Sequence, residues 1–374
     1  QFEKTAPPSQ SGVLRWGPSH SPENSFVDEN GIARFLAFNV ALDLAVVAET
    51  FRAVATGVSA LSELDELSDD DRKLGAHLES LRRRLPCQGQ PCISPDGSLA
   101  EWGDGERPSA DEGHRHFSHL YPLHPGDAIH PIDQPALANA ARRSLARRLR
   151  AGGGHTGWSA GWAISLWARL FDGGLSHTAL RFTMHEFASP ALLGLHPPLR
   201  AKVSSGTQGT HCTTCVGRSA TAKAGEGMFQ LDANGAVSAG VAEMLLQSHS
   251  PTCRVHLLPA LPPSWRDGEV RGLRARGALS ADIRWSAGRI VWVTLTPVVA
   301  ERVLTEPAVS VCCSPTVCGS SADVVARAAG SAVSVLALRS TNRSSTSYVW
   351  AWQVAIKREA PAATWTMRLN AVTV

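Results

Sequence analysis

Apolar side chains recur at helical spacing between residues 33 and 57, at Phe35, Phe38, Leu42, Val46, Phe51 and Val54, so a helix with one buried face is expected there. A second helix is expected from Ser68 to Leu85. Ser68 is followed by three aspartates, and a hydroxyl cap with acids in the first turn suits a helix N-terminus, where free N–H groups attract negative charge. Further helical patterns lie near 135–150, 158–172, 175–188 and 236–249, whereas residues 1–30 and 86–133 read as loop. A Ser-, Thr- and Gly-rich stretch between Pro197 and Gly227 reads as an inserted surface loop centred on 199–225. After Ser264 the period changes. Short β-branched runs alternate with turns at 269–275, 279–285, 290–297, 308–312, 333–339, 348–356 and 364–369, and Ser286-Ala287-Gly288 sits between two of them as in a hairpin. The expected architecture is multidomain, α then β: a helical domain over residues 1–263 and an antiparallel, sandwich-like β-domain over 264–374.

The chain has 374 residues, of which 43% are hydrophobic and 18% charged, so it can bury a sizeable core and disorder is not expected. The net charge of +3 and the scatter of Lys and Arg among acids give no nucleic-acid footprint. The most basic stretch, Arg142 to Arg150, is spaced like the solvated face of a helix. No uninterrupted run of 18 apolar residues occurs, so no membrane span is expected. The chain begins at Gln1 without a charged-then-apolar leader pattern. Among eight cysteines, Cys87 and Cys92 flank a short polar loop they could close into a ring. His211-Cys212-x-x-Cys215 resembles half a zinc site, but no second half is evident, so free thiols in a loop, or next to that a disulfide, fit it better. Asn342-Arg343-Ser344 is a glycosylation sequon, which points to a secreted or lumenal protein.

Five polar clusters carry the chemistry. Ser21-Pro22-Glu23-Asn24 sets a carboxylate beside an amide in a proline-stiffened loop, which suits either sugar hydroxyls or simple loop capping. Glu101-Trp102 sets an acid beside an aromatic surface, where desolvation would raise the carboxyl pKa and keep it protonated. His114-Arg115-His116-Phe117-Ser118-His119 matches no common zinc spacing and reads better as a polar wall for a hydroxyl-rich ligand. Gly152-Gly153-Gly154-His155-Thr156-Gly157-Trp158 lacks the phosphate-loop pattern, and Trp158 can stack on the apolar face of a sugar ring. Asp232-Ala233-Asn234 stands just ahead of the helix expected from 236, as a cap or as a functional acid.

Taken in order, these motifs resemble glycoside hydrolase family 95. Ser21 to Phe26, His114 to Tyr121, and Ala242-Glu243-Met244-Leu245-Leu246-Gln247-Ser248 match its patterns, and the resemblance covers residues 12 to 297. It implies a partial (α/α)6 barrel followed by a terminal β-domain. It also implies inverting hydrolysis of terminal α-L-fucose, 1,2-linked to galactose, on a fucosylated glycan. By the same resemblance Glu101 is the general acid and Asp232 helps activate the attacking water. Glu23, Asn24, Arg115, His116, His155, Trp158 and Asn234 shape the sugar pocket. No cofactor and no metal are implied. An inverting pair is expected about 6.5–9.5 Å apart. The family's water-positioning Asn-x-Asn motif lies upstream of the first matched loop, so the chain is expected to be part of a longer enzyme. Ala233 and Ala236 replace family glycines and are expected to shift the Asp232 loop, since Ala does not readily adopt positive φ. Two other readings remain: a non-catalytic carbohydrate-binding remnant of the same fold, and a zinc protein built on His114, His116, His119, Cys212 and Cys215.

Overall fold

The computed structural model describes residues 12–62, 67–103, 107–196, 228–297, 308–313, 322–328, 350–355 and 365–371. The chain divides into two compact units, one of residues 1–160 and 185–230 and one of residues 161–184 and 231–374.

The first unit opens with four two-residue strands: β1 (Ser19–His20), β2 (Phe26–Val27), β3 (Ala33–Arg34) and β4 (Leu36–Ala37). β1 pairs with β4 and β2 with β3, both antiparallel. The helix expected from residue 33 therefore starts later, as α1 (Ala41–Ser62). The apolar run before it is strand, and Phe35 and Leu36 are exposed instead of lining a helix face. α1 is long and apolar enough to cross a membrane by length and composition alone, and little of it is buried. α2 (Asp69–Arg83) has the expected cap: the Asp71 amide donates to Ser68 Oγ, the Ser68 amide donates to the Asp71 carboxylate, and the two form a capping box. α1 and α2 pack around Leu14, Ala48 and Leu85. A disulfide joins Cys87 to Cys92. α3 (Pro135–Arg150) starts on a proline, whose missing N–H costs nothing in the first turn. Its buried positions Ala141, Ser144, Leu145, Arg148 and Leu149 recur every three to four residues.

α4 (Gly157–Arg169) and α5 (Gly173–Phe187) each begin in one unit and end in the other. β5 (Leu195–His196) and β6 (Met228–Phe229) form a short antiparallel pair in the first unit. Residues 197–227, with Cys212 and Cys215, lie outside the described residues, as do Asn342 and the strand expected at 333–339.

In the second unit α6 (Leu231–Leu245) starts five residues earlier than the apolar spacing suggests. Ala233, Gly235 and Ala236 are thus helical, and no positive φ occurs there, so alanine brings no strain at these positions. α6 crosses α4 closely. A Cβ on Gly240 would come within 2.6 Å of Ile164, and one on Gly161 within 2.8 Å of the Ala236 Cβ. The glycines are what let the two backbones approach.

The remainder of this unit is β-rich. Its strands are β7 (Leu246–Gln247), β8 (Val255–Leu257), β9 (Gly268–Ala275), β10 (Leu279–Ser286), β11 (Arg289–Pro297), β12 (Ala308–Cys313), β13 (Ala322–Ala328), β14 (Trp350–Ala355) and β15 (Trp365–Ala371). They form a five-stranded sheet in the order β13-β15-β11-β10-β9 and a four-stranded sheet in the order β14-β12-β8-β7. One core draws on both sheets, with Val255, Leu257 and Val311 from one and Ile283, Trp285 and Val293 from the other. β10 alternates strictly, burying Leu279, Ala281, Ile283 and Trp285. The four-stranded sheet recruits β7 and β8, which precede residue 264, and pairs β8 with β12 in parallel. A disulfide links Cys253 to Cys312. β13 lies in a segment whose period had suggested no strand.

Candidate active site

Glu101 lies in a loop pinned on both sides. Its carbonyl accepts from the Ala41 amide at the start of α1 at 3.1 Å, Trp102 bridges to Val40, and the Leu99 amide donates to Ser144 Oγ on α3 at 2.9 Å. Trp102 turns into a core cluster with Phe26, Ala37 and Val40 and anchors the loop.

The carboxyl group itself is buried, with 8% of its side chain exposed. Ser21 Oγ donates to Oε1 at 2.9 Å, Arg148 donates to Oε2, and His119 Nδ1 lies 3.6 Å from Oε2. Burial alone pushes the carboxyl upward. The charges of His119 and Arg148 and the hydrogen bonds from Ser21 and Arg148 push it down, and the net direction is downward. The sequence reading, in which Trp102 desolvates Glu101 and keeps it protonated, is corrected here: an ion pair outweighs desolvation. Burial also drives His119 down to about 4, so its imidazole is neutral near pH 7, where Arg148 carries the fixed positive charge beside Glu101, and His119 adds to it once protonated.

Arg148 is the residue sequence reasoning missed. The basic run 142–150 read as a solvated face, yet Arg148 is only 4% exposed. The signal was present in the spacing, since 148 follows 141, 144 and 145 along the apolar stripe of α3.

Beside this buried group stands a more open cluster. Arg115 donates to Glu23, and His116 Nε2 lies 3.7 Å from the same carboxylate. The His116 ring meets Trp158 edge-on at 4.6 Å and stacks on His114 at 5.2 Å. The His116 amide donates to His114 Nδ1 at 3.1 Å, which places that ring's proton on Nε2 when it is neutral. Ser159 Oγ donates to the Arg115 carbonyl and ties the loop to the start of α4. Burial lowers the pKa of His116, and it lowers that of His114 to about 4.

His155 contacts the Gly152 carbonyl through Nδ1 at 3.1 Å. His196, which the sequence did not single out, is close enough to His155 and Arg115 for their charges, after burial, to lower its own pKa. Its only sequence signal is a histidine at the edge of the insertion. Asn24 commits its side chain to the loop, since Nδ2 donates to Ser109 Oγ and Oδ1 accepts from the Ser25 amide, both at 2.9 Å.

Glu101, Glu23, Asn24, Arg115, His116, His155 and Trp158 all belong to the first unit. Asp232 and Asn234 belong to the second, in the first turn of α6 instead of ahead of it. No group of three or more His, Cys, Asp or Glu among the described residues is placed to hold a metal ion.

The sequence profile described as the glycosyl hydrolase family 95 catalytic domain matches residues 2–245, and that of the family's C-terminal domain matches residues 247–330. The chain belongs to glycoside hydrolase family 95. Among relatives, alpha-L-fucosidase 2 of Arabidopsis thaliana is 34% identical over 284 residues, covering 75% of this chain and 30% of that protein. Probable alpha-fucosidase A of Aspergillus oryzae is 28% identical over 212 residues, covering 52% and 26%. The chain thus spans less than a third of the length of these curated relatives. The boundary between the two family 95 profiles falls at the end of α6, where the helical part gives way to the β-rich part.

Buried His119 contributes a pH dependence of stability. His119 takes its proton at about 4 when folded, against about 6.5 when unfolded. The unfolded chain binds more protons between these values, so stability falls as the pH drops through that window and levels off below it. The loss is of order 3 kcal/mol. Urea melts at pH 7, 5.5 and 4 should show it, and His119→Gln should reduce the slope. An unchanged slope in that variant would assign the loss to other groups.

Proposed function

We propose that the chain contributes the catalytic site of a glycosidase that removes terminal α-L-fucose, 1,2-linked to galactose, from a fucosylated glycan with inversion. The observation that carries this reading is the buried Glu101 carboxyl standing beside the polar and aromatic wall of Glu23, Arg115, His116 and Trp158. A buried carboxyl next to a hydrogen-bonding, ring-stacking wall supplies one of the two carboxyl groups that glycoside hydrolysis needs, together with a surface for the sugar. The names of the relatives, both fucosidases, supply the sugar.

In this reading the protonated form of Glu101, a minor form near pH 7 that grows as the pH falls because the carboxyl is held below its usual range, gives its proton to the departing glycosidic oxygen as the bond to the anomeric carbon breaks. Water adds to that carbon from the opposite face, and Asp232 takes up the proton the water loses. Arg115, His116, His155 and Asn234 bond the fucose hydroxyls, Trp158 covers the apolar face of the ring, and Glu23 orients Arg115. Asn24 shapes the loop that holds Glu23. The helices of residues 41–245 form part of an (α/α)6 barrel, and the β-rich remainder is its C-terminal domain. Paired cysteines at 87–92 and 253–312 fit an oxidising compartment, secreted or lumenal.

The test is proton NMR of the native protein acting on an oligosaccharide ending in α-1,2-linked L-fucose. The β anomer of free fucose should appear first and mutarotate later. The α anomer appearing first would overturn inversion. Fucose binding without release would replace the hydrolase with a binding protein.

A further inference from the structure

We propose that Arg148 is a positioning residue for Glu101: its guanidinium fixes the orientation of the carboxyl group and decides at which pH that group holds the proton general-acid catalysis needs. The proposal rests on Glu101 being the acid, and it goes further by assigning control of that acid to a helix residue outside the sugar-binding wall.

Three observations carry it. Arg148 projects from the buried face of α3 and donates to Glu101 Oε2, with both side chains nearly sealed from solvent. Arg148 Nη1 and His119 Nδ1 are buried and have no hydrogen-bond partner among the described residues, so each has a donor position left beside the carboxyl. Finally, Arg148 is held in place from behind. A Cβ on Gly153 would come within 2.8 Å of the Arg148 carbonyl oxygen and 2.9 Å of its Cγ, so the backbone of the glycine run 152–154 packs directly on the arginine stem. That gives the run a role which phosphate binding does not explain.

Among the described residues, the groups that act on Glu101 come from several elements. Arg148 comes from α3, and His119 comes from the helical turn at Ser118–Leu120. His116 comes from the loop before that turn and Ser21 from β1's trailing loop. Arg147 acts one step removed, on His119. Near pH 7 Arg148 is the fixed positive charge among those in contact with Glu101.

The experiment is a carboxyl titration by ¹³C NMR of native protein labelled at glutamate Cδ, with the Glu101 signal assigned by its loss in Glu101→Gln. In the wild-type protein the Glu101 midpoint should lie below that of an exposed glutamate. In Arg148→Met, burial is opposed only by the Ser21 hydrogen bond and by His119, and the midpoint should rise by about one pH unit or more. Arg148→Lys should bring it part of the way back. A wild-type midpoint above that of an exposed glutamate, or equal midpoints in wild type and Arg148→Met, would overturn the proposal. Should Arg148→Met not fold, the wild-type and Arg148→Lys midpoints still decide. The alkaline limb of the kcat/KM profile separates the two layers of argument. If the Glu101 midpoint moves and the limb moves with it, both stand. If the midpoint moves and the limb stays, Arg148 controls Glu101 but Glu101 is not the acid.

Discussion

Glu101→Gln should lower kcat/KM on fucosides with ordinary sugar leaving groups by about 10²–10⁴-fold. Glutamine keeps the size of the side chain and can still accept from Ser21, but it has no proton to give to a departing alkoxide. The loss should shrink sharply on fucosyl fluoride, whose leaving group needs little protonation, and this contrast marks lost acid catalysis as distinct from lost binding. The variant also leaves Arg148 buried beside a neutral partner, so a thermal melt must accompany the kinetics. Equal losses on both substrates in a folded variant would mean that Glu101 positions the substrate and does not protonate it. Unchanged activity on both would remove Glu101 from the mechanism.

The same residue shows what a sequence can and cannot reveal. Its local motif marked Glu101, and the helix cap at Ser68 was legible because the hydroxyl and the acid it bonds lie three residues apart. Arg148 was not legible as a partner, because 47 residues separate it from Glu101 and charge composition favours the solvated reading. The apolar run at 33–38 matched a helical period, yet pairing with β1 and β2 overrides local propensity there. Asp232 looked like a residue before a helix because Gly235 and Asn234 weaken the helical signal, whereas the close α4–α6 crossing stabilises the first turn in spite of them.

That crossing carries the second large effect. Arg169 on α4 meets Glu243 on α6 through two parallel bonds, Nε to Oε2 at 2.5 Å and Nη2 to Oε1 at 3.0 Å. The arginine side chain is 6% exposed and the glutamate 19%. Gln247 Nε2 closes the cluster, donating to the Ala168 and Glu243 carbonyls at 2.9 Å each. Arg169→Met strands a largely buried carboxylate and should cost about 3 kcal/mol, toward the lower end for a broken buried pair because Glu243 retains some water. Urea denaturation at pH 7 measures it. Arg169→Met with Glu243→Leu removes both charges and should recover most of the loss, since apolar packing replaces buried ion pairs at little cost. The double variant then asks a functional question. Glu243 lies three turns along α6 from Asp232, so the bidentate bond fixes how far α6 slides and rotates on α4. A double variant with restored stability and reduced kcat would show that the pair sets the position of Asp232. Restored stability with wild-type kcat would confine the pair to holding the fold, because the Gly161 and Gly240 contacts alone would then suffice to register the two helices.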